Sequence, residues 1–207
     1  MAFGVGTLIA SLSFELVVPA IQSSDVAHVA LALMIGSLTF FAGDMVISRI
    51  GGSKRKSPKG AEEGGSGLGI VLGTVLDGVP ESATLGMSLA SGGGVSVALL
   101  AAIWISNFPE SLGSTVNLAK SGMSRWKIRA MWASIVAVSA LSAAVGYAII
   151  NASSTRTGAF VEAFAAGALL TMIADEMAPE AFGRSSLYTG LATAAGFVLA
   201  VFLTSFE

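Results

Sequence analysis

Two short stretches of this chain set proline beside carboxylate in apolar surroundings. Asp77-Gly78-Val79-Pro80-Glu81-Ser82 recurs 29 residues later as Ser106-Asn107-Phe108-Pro109-Glu110-Ser111. Each copy falls in the middle of an apolar segment long enough to cross a bilayer. A carboxylate at that depth costs roughly 2.5–3.5 kcal/mol on insertion scales. Proline removes an N–H and clashes with the carbonyl four residues back, here those of Leu76 and Ile105. Lipid cannot satisfy the carbonyl so freed, whereas a neighbouring helix, a water or a bound cation can. Two Pro-kinked helices that aim carboxylates and loosened carbonyls at mid-depth make an oxygen-lined cation site. The competing reading is a pair of packing helices whose carboxyls are protonated and hydrogen-bonded internally.

The residues around each proline stay on one face. Asp77, Glu81, Thr84 and Ser88 fall at helical spacing, as do Glu110, Ser114, Asn117 and Ser121, with Ser106 and Asn107 one turn before Glu110. Two such stripes facing each other would line a polar path through an apolar bundle.

The elements that must position them are membrane helices. Of 207 residues, 54% are hydrophobic and 12% charged, and the mean hydropathy is +0.79, which fits a polytopic membrane protein and not a soluble domain. The absence of cysteine excludes disulfides and thiolate ligation, and a single histidine, His28, excludes a multi-His cluster. The start lacks the basic region of a cleavable signal peptide. Apolar runs predict an all-α bundle of about seven spans, at 2–20, 27–48, 67–91, 95–118, 128–150, 159–180 and 188–206. They group as a first repeat (1–49), a flexible basic linker (50–66), central helices carrying the two motifs (67–150) and a second repeat (151–207). Arg49, Lys54, Arg55, Lys56 and Lys59 cluster in one loop, Lys120, Arg125, Lys127 and Arg129 two spans on, and Arg184 two spans after that. The positive-inside rule makes those loops cytoplasmic and puts Glu207 outside.

A shift of 161 residues aligns Ala2-Phe3-Gly4-Val5-Gly6-Thr7-Leu8 with Ala163-Phe164-Ala165-Ala166-Gly167-Ala168-Leu169, Glu15 with Glu176, Ala20 with Ala181 and Ser24 with Ser185. One residue of slippage then pairs Leu31, Ala32 and Gly36 with Leu191, Ala192 and Gly196, and Pro19 matches Pro179. On the topology above, the copies run in opposite directions: an inverted repeat flanking the central helices, the usual architecture of secondary transporters.

With these residues in place, the chain resembles the ZIP (Zrt-, Irt-like) family of divalent-metal transporters. Its two motifs are similar to the paired Pro-Glu motifs that hold metal on the family's fourth and fifth spans. The resemblance covers nearly the whole chain, with 2–20 standing where the family has its second of eight spans; the expectation is either a start that lies further upstream or a shortened member that lacks the first span. The resemblance implies transport of a divalent cation (zinc, with iron and manganese also in range) and metal ligation by Asp77, Glu81, Asn107 and Glu110, with Ser106 weaker; Glu176 and Glu15 are outlying candidates beside that set. Asp77 replaces the family's histidine, Gly78 offers only backbone oxygen, and the span 128–150 supplies no carboxylate.

The cation is cargo, and no cofactor is expected. The partners expected are the metal, the lipid bilayer and, through the small residues of Gly4-Val5-Gly6 and Ala165-Ala166-Gly167, a second copy in a homodimer; no nucleic acid is expected. The location expected is the plasma membrane. The alternatives are a non-transporting metal sensor and an intramembrane acid/base enzyme, the latter disfavoured by the lack of a nucleophile turn. Glu15, Asp175, Glu176 and Glu180 form a secondary cation stop or are span-end carboxylates reaching water. Asp44 reads as interfacial, His28 beside Asp25 as solvated, and Trp126 as an interfacial anchor.

Overall fold

The computed structural model describes residues 1–49, 67–91, 94–183 and 187–206. The basic linker 50–66, Arg184, Ser185 and Glu207 lie outside the described residues. The described residues form helices α1 (Ala2–Leu12), α2 (Val18–Ser23), α3 (Val26–Arg49), α4 (Gly67–Ala90), α5 (Val97–Lys120), α6 (Arg125–Ala152), α7 (Thr155–Met172), α8 (Ala178–Gly183) and α9 (Thr189–Thr204). α1 runs into α2 through a π-helical turn at Ser13–Val17, and α7 into α8 through another at Ile173–Met177. The result is seven rods in an all-helical membrane bundle.

Among the described residues, Ala2–Ser23, Val26–Arg49, Arg125–Ala152 and Thr155–Gly183 are long and apolar enough to cross a membrane by length and composition. α9, at 16 residues, is shorter than the roughly 20 that the hydrocarbon core asks for. The two motif helices, 24 residues each, are also not among the four.

The two π turns have a common cause. Each is closed by a bond spanning five residues, from the Val18 N–H to the Ser13 carbonyl and from the Ala178 N–H to the Ile173 carbonyl. Proline follows at once, at 19 and 179. Its missing N–H and its ring disrupt the ordinary ladder there, and widening the preceding turn relieves the clash.

Packing is organised by three helix pairs, each crossing at two glycines. On α1 and α9, a Cβ on Gly6 would lie 1.8 Å from the Thr193 carbonyl oxygen, and one on Gly196 would lie 2.0 Å from that of Phe3. On α3 and α7, a Cβ on Gly36 would lie 1.9 Å from the Phe164 carbonyl oxygen, and one on Gly167 would lie 2.0 Å from that of Leu33. On α4 and α6, a Cβ on Gly86 would lie 1.9 Å from the Ala143 carbonyl oxygen, and one on Gly146 would lie 2.2 Å from that of Ala83. Lipid tails give no hydrophobic force between helices, so close backbone approach at small residues supplies the packing.

The first two crossings are one crossing repeated. Gly6 and Phe3 map onto Gly167 and Phe164 by the 161-residue shift, and Gly36 and Leu33 map onto Gly196 and Thr193 by 160. Partners along α3 and α7 rise together, from Asp25–Arg156 through His28–Phe160 to Ser37–Thr171, so these helices are parallel. Two residues, Ser24 and Asp25, turn the chain from α2 into α3, which sets α3 against α1. α7 therefore opposes α1, and the repeat is inverted. The core lies between the copies, where Leu8, Leu12 and Leu16 pack with their equivalents Leu169, Ile173 and Met177. Half or more of the apolar window of Ala2–Ser23 and of Thr155–Gly183 is buried (56% and 50%), against 11% for α6, which leaves α6 on the periphery.

Gly6 and Gly167 are thus engaged within the chain. The small-residue faces expected to serve a dimer instead join the repeats to each other.

Candidate functional site

α4 and α5 each run continuously through their proline, Pro80 and Pro109. The motif residues gather where these helices meet. Asp77 and Glu81 on α4 are buried, at 7% and 2% exposed. Asn107 of α5 is half-buried, and its Nδ2 donates to Glu81 Oε2. One turn past Glu81, Thr84 is fully buried and donates to the Glu81 carbonyl at 2.7 Å. The carboxylates of Glu110 and Asp77 are near enough to act electrostatically on that of Glu81. A groove of 320 Å³ opens beside this cluster on α5, lined by Leu100, Ile103, Trp104, Asn107, Phe108 and Ser111.

The structure therefore brings Glu81 and Asn107 into contact, with Asp77 one turn before Glu81 on α4. It does not gather the carboxylates into a closed cage: among the described residues, no three His, Asp or Glu side chains are grouped tightly enough to hold one ion. The donor arrangement explains part of this. An amide N–H on Glu81 occupies the lone pair a cation would take, while the same amide turned over would offer Oδ1.

Ser106 has a different setting. Its hydroxyl donates to the Ile103 carbonyl of its own helix at 2.9 Å, and its Cα would lie 3.0 Å from a Cβ on Gly4. It is the small residue at which α5 rests on α1. Stripe periodicity placed it with Asn107, but adjacent residues on a helix point about 100° apart, and this one faces the repeat.

The outlying carboxylates stand in the π turns. Glu15 accepts from Thr204 Oγ1 at 3.2 Å, and Glu176 occupies the same place in the second copy. Asp44, near the end of α3, is buried at 8% exposure. It sits two turns beyond Ser37, whose hydroxyl bonds that of Thr171 at 2.5 Å, so the parallel α3–α7 crossing carries it to the level of the second π turn. Its equivalent on α9 is Thr204, the partner of Glu15.

At the end of the bundle away from the linker, Asp25 caps α3. Its Oδ1 accepts the His28 N–H at 2.9 Å and its Oδ2 lies 3.8 Å from Arg156. The His28 N–H, with Arg156 adding to it, holds the Asp25 carboxyl below its ordinary range. His28 is half-buried against the Phe160 ring at 5.4 Å and not simply solvated. Trp126 is 76% exposed. Glu162 of α7, which the motif analysis passed over, is half-buried and accepts from Ser91 Oγ at 3.5 Å. The only signal for it in the sequence is a carboxylate inside an apolar run.

Comparison with known proteins adds the following. The family model described as ZIP zinc transporter matches residues 55–204, which include both motifs. A protein of Arabidopsis thaliana named "Putative zinc transporter" is 27% identical over 184 residues, covering 87% of this chain. The chain spans 29% of that relative's length. No solved structure matches.

Proposed function

Because the chain belongs to the ZIP zinc transporter family, we propose that it carries divalent cations across the membrane through the carboxylate site between α4 and α5. That family is one of transporters, and an acid/base enzyme is set aside accordingly. The observation that carries the site assignment is the contact of Asn107 with Glu81 at the junction of the two Pro-Glu-Ser helices. In this reading the arriving ion exchanges waters for carboxylate oxygens of Glu81, Asp77 and Glu110, and the Asn107 amide turns to present its oxygen. Ser106 contributes packing more than ligation.

The ligand set is all oxygen, which suits hard cations such as Mn²⁺, while zinc also accepts carboxylates. We therefore assign a broad selectivity in which zinc is transported and only weakly distinguished from Mn²⁺ and Fe²⁺. Release runs toward the linker end, where Glu176 stands in its π turn and Asp44 at the same level. The α4–α6 pair, locked at Gly86 and Gly146, shifts as a unit against the α1–α9 and α3–α7 pairs. The linker is cytoplasmic and the membrane is the plasma membrane. A homodimer, if formed, uses surfaces other than the Gly6 and Gly167 faces.

Metal uptake by starved cells making the protein tests this. Glu81→Ala and Glu110→Ala are each expected to abolish most of it at unchanged abundance. Unimpaired uptake in both would remove the site assignment, and metal binding without flux would favour a sensor.

A further inference from the structure

The α4 face that carries Glu81 continues away from the linker as Thr84, Ser88 and Ser91, each three or four residues from the last. Thr84 is sealed in the interior. Ser88 Oγ accepts the Ser96 N–H at 3.1 Å, which ties the entry of α5 to this face. Ser91, exposed just beyond the end of α4, donates to the Met87 carbonyl at 3.1 Å and reaches Glu162 Oε1 at 3.5 Å.

Glu162 has no role in the site described so far. Among the described residues no Lys, Arg or His pairs with it, and Arg156, a turn and a half earlier on α7, lies against Asp25. Nor does the shared fold ask for a carboxylate there. In the register that aligns Ala2 with Ala163, the equivalent of Glu162 is Met1. A half-buried carboxylate costs free energy when no cation accompanies it. This one stands at the head of a line of hydroxyls that ends on Glu81.

We propose that Glu162, with the Ser91 hydroxyl, forms a capture site at the mouth of the bundle away from the linker, taking a hydrated divalent cation before it passes along the α4 hydroxyl face to Glu81. This rests on the permease reading above. A carboxylate at a partly hydrated mouth attracts a dication without stripping its waters, so it raises the local supply of ion and leaves the later steps unchanged.

The experiment is uptake of Zn²⁺ and of Mn²⁺ over a concentration series, in cells making wild type, Glu162→Gln, Glu162→Asp, Ser91→Ala and Glu81→Ala at matched membrane abundance. Glu162→Gln is expected to raise KM about threefold to tenfold with Vmax unchanged. Glu162→Asp should restore most of the loss, and Ser91→Ala should raise KM less. Uptake below KM should also lose part of its dependence on ionic strength in Glu162→Gln, since the screened charge is gone. Should that variant not reach the membrane, Glu162→Met, the residue of the equivalent position, carries the same expectation. Wild-type uptake that Glu81→Ala abolishes but Glu162→Gln leaves at the same KM overturns the capture site alone. A fall in Vmax at constant KM overturns it too, since it would make Glu162 part of the packing. No metal-dependent uptake by wild type overturns the permease reading and the capture site together.

Discussion

Replacing Gly86 by alanine tests the crossing that holds the candidate site helix. The added methyl would lie 1.9 Å from the Ala143 carbonyl oxygen and 2.7 Å from its carbon, where ordinary contact begins at 3.4 Å. Neither atom belongs to a side chain that can rotate away, so α4 and α6 would have to part by about 1 Å or more. Overpacking a close-fitted core costs about 1–3 kcal/mol, and a backbone obstacle puts this substitution at the upper end. In a chain of this size each kcal/mol moves the melting temperature by about 2–4 °C, so a loss of about 5–10 °C is expected. Gly113→Ala on α5 is the comparison, because a Cβ there meets nothing within 4 Å. Alanine should stabilise that helix by about 0.5–1 kcal/mol through its higher propensity. Thermal unfolding of the solubilised variants, read by loss of the monodisperse peak, gives both signs in one series. Equal melting temperatures for Gly86→Ala and Gly113→Ala would refute the close glycine crossing.

Other outcomes follow from the site and its surroundings. Asn107→Ala removes the donor to Glu81 and should cut metal uptake at least tenfold, about 1.4 kcal/mol, while Asn107→Asp retains an oxygen ligand and should keep more of it; equal loss in both would deny Asn107 a ligand role. Asp77→His should move selectivity toward zinc in a competition series against Mn²⁺ and Fe²⁺, and strong zinc preference already present in wild type and unchanged in the variant would contradict the broad-selectivity reading. The Asp25 carboxyl titrates lower when folded, so its contribution is complete above its unfolded value and is lost as pH falls through the lowered one. Wild type should therefore melt above Asp25→Ala at neutral pH, with the gap closing below about pH 4; a constant gap would show that the cap does not act through its charge. Thr204→Val removes the hydroxyl that bonds Glu15 and should lower the melting temperature by about 2–5 °C, measured in the same unfolding series.

What the sequence determined by itself is what local chemistry and periodicity carry. Proline beside carboxylate in apolar runs marked α4 and α5, helical spacing put Asp77, Glu81 and Thr84 on one face, and the 161-residue register foretold the equivalence of Gly6 with Gly167. Prolines 19 and 179 also held the signal for the two π turns, though a span count does not reveal how a helix absorbs a lost N–H. Only the tertiary structure decided which faces meet. Periodicity fixes the direction of a side chain around its own axis, but not the neighbour it finds there. Thus Asn107 reaches Glu81 while adjacent Ser106 packs on Gly4, Asp44 is covered by neighbouring helices, and the glycines that might have served a dimer are closed within the chain. Glu162 escaped notice for the same reason: its meaning comes from Ser91, 71 residues away in sequence and in contact only because α7 lies against α4.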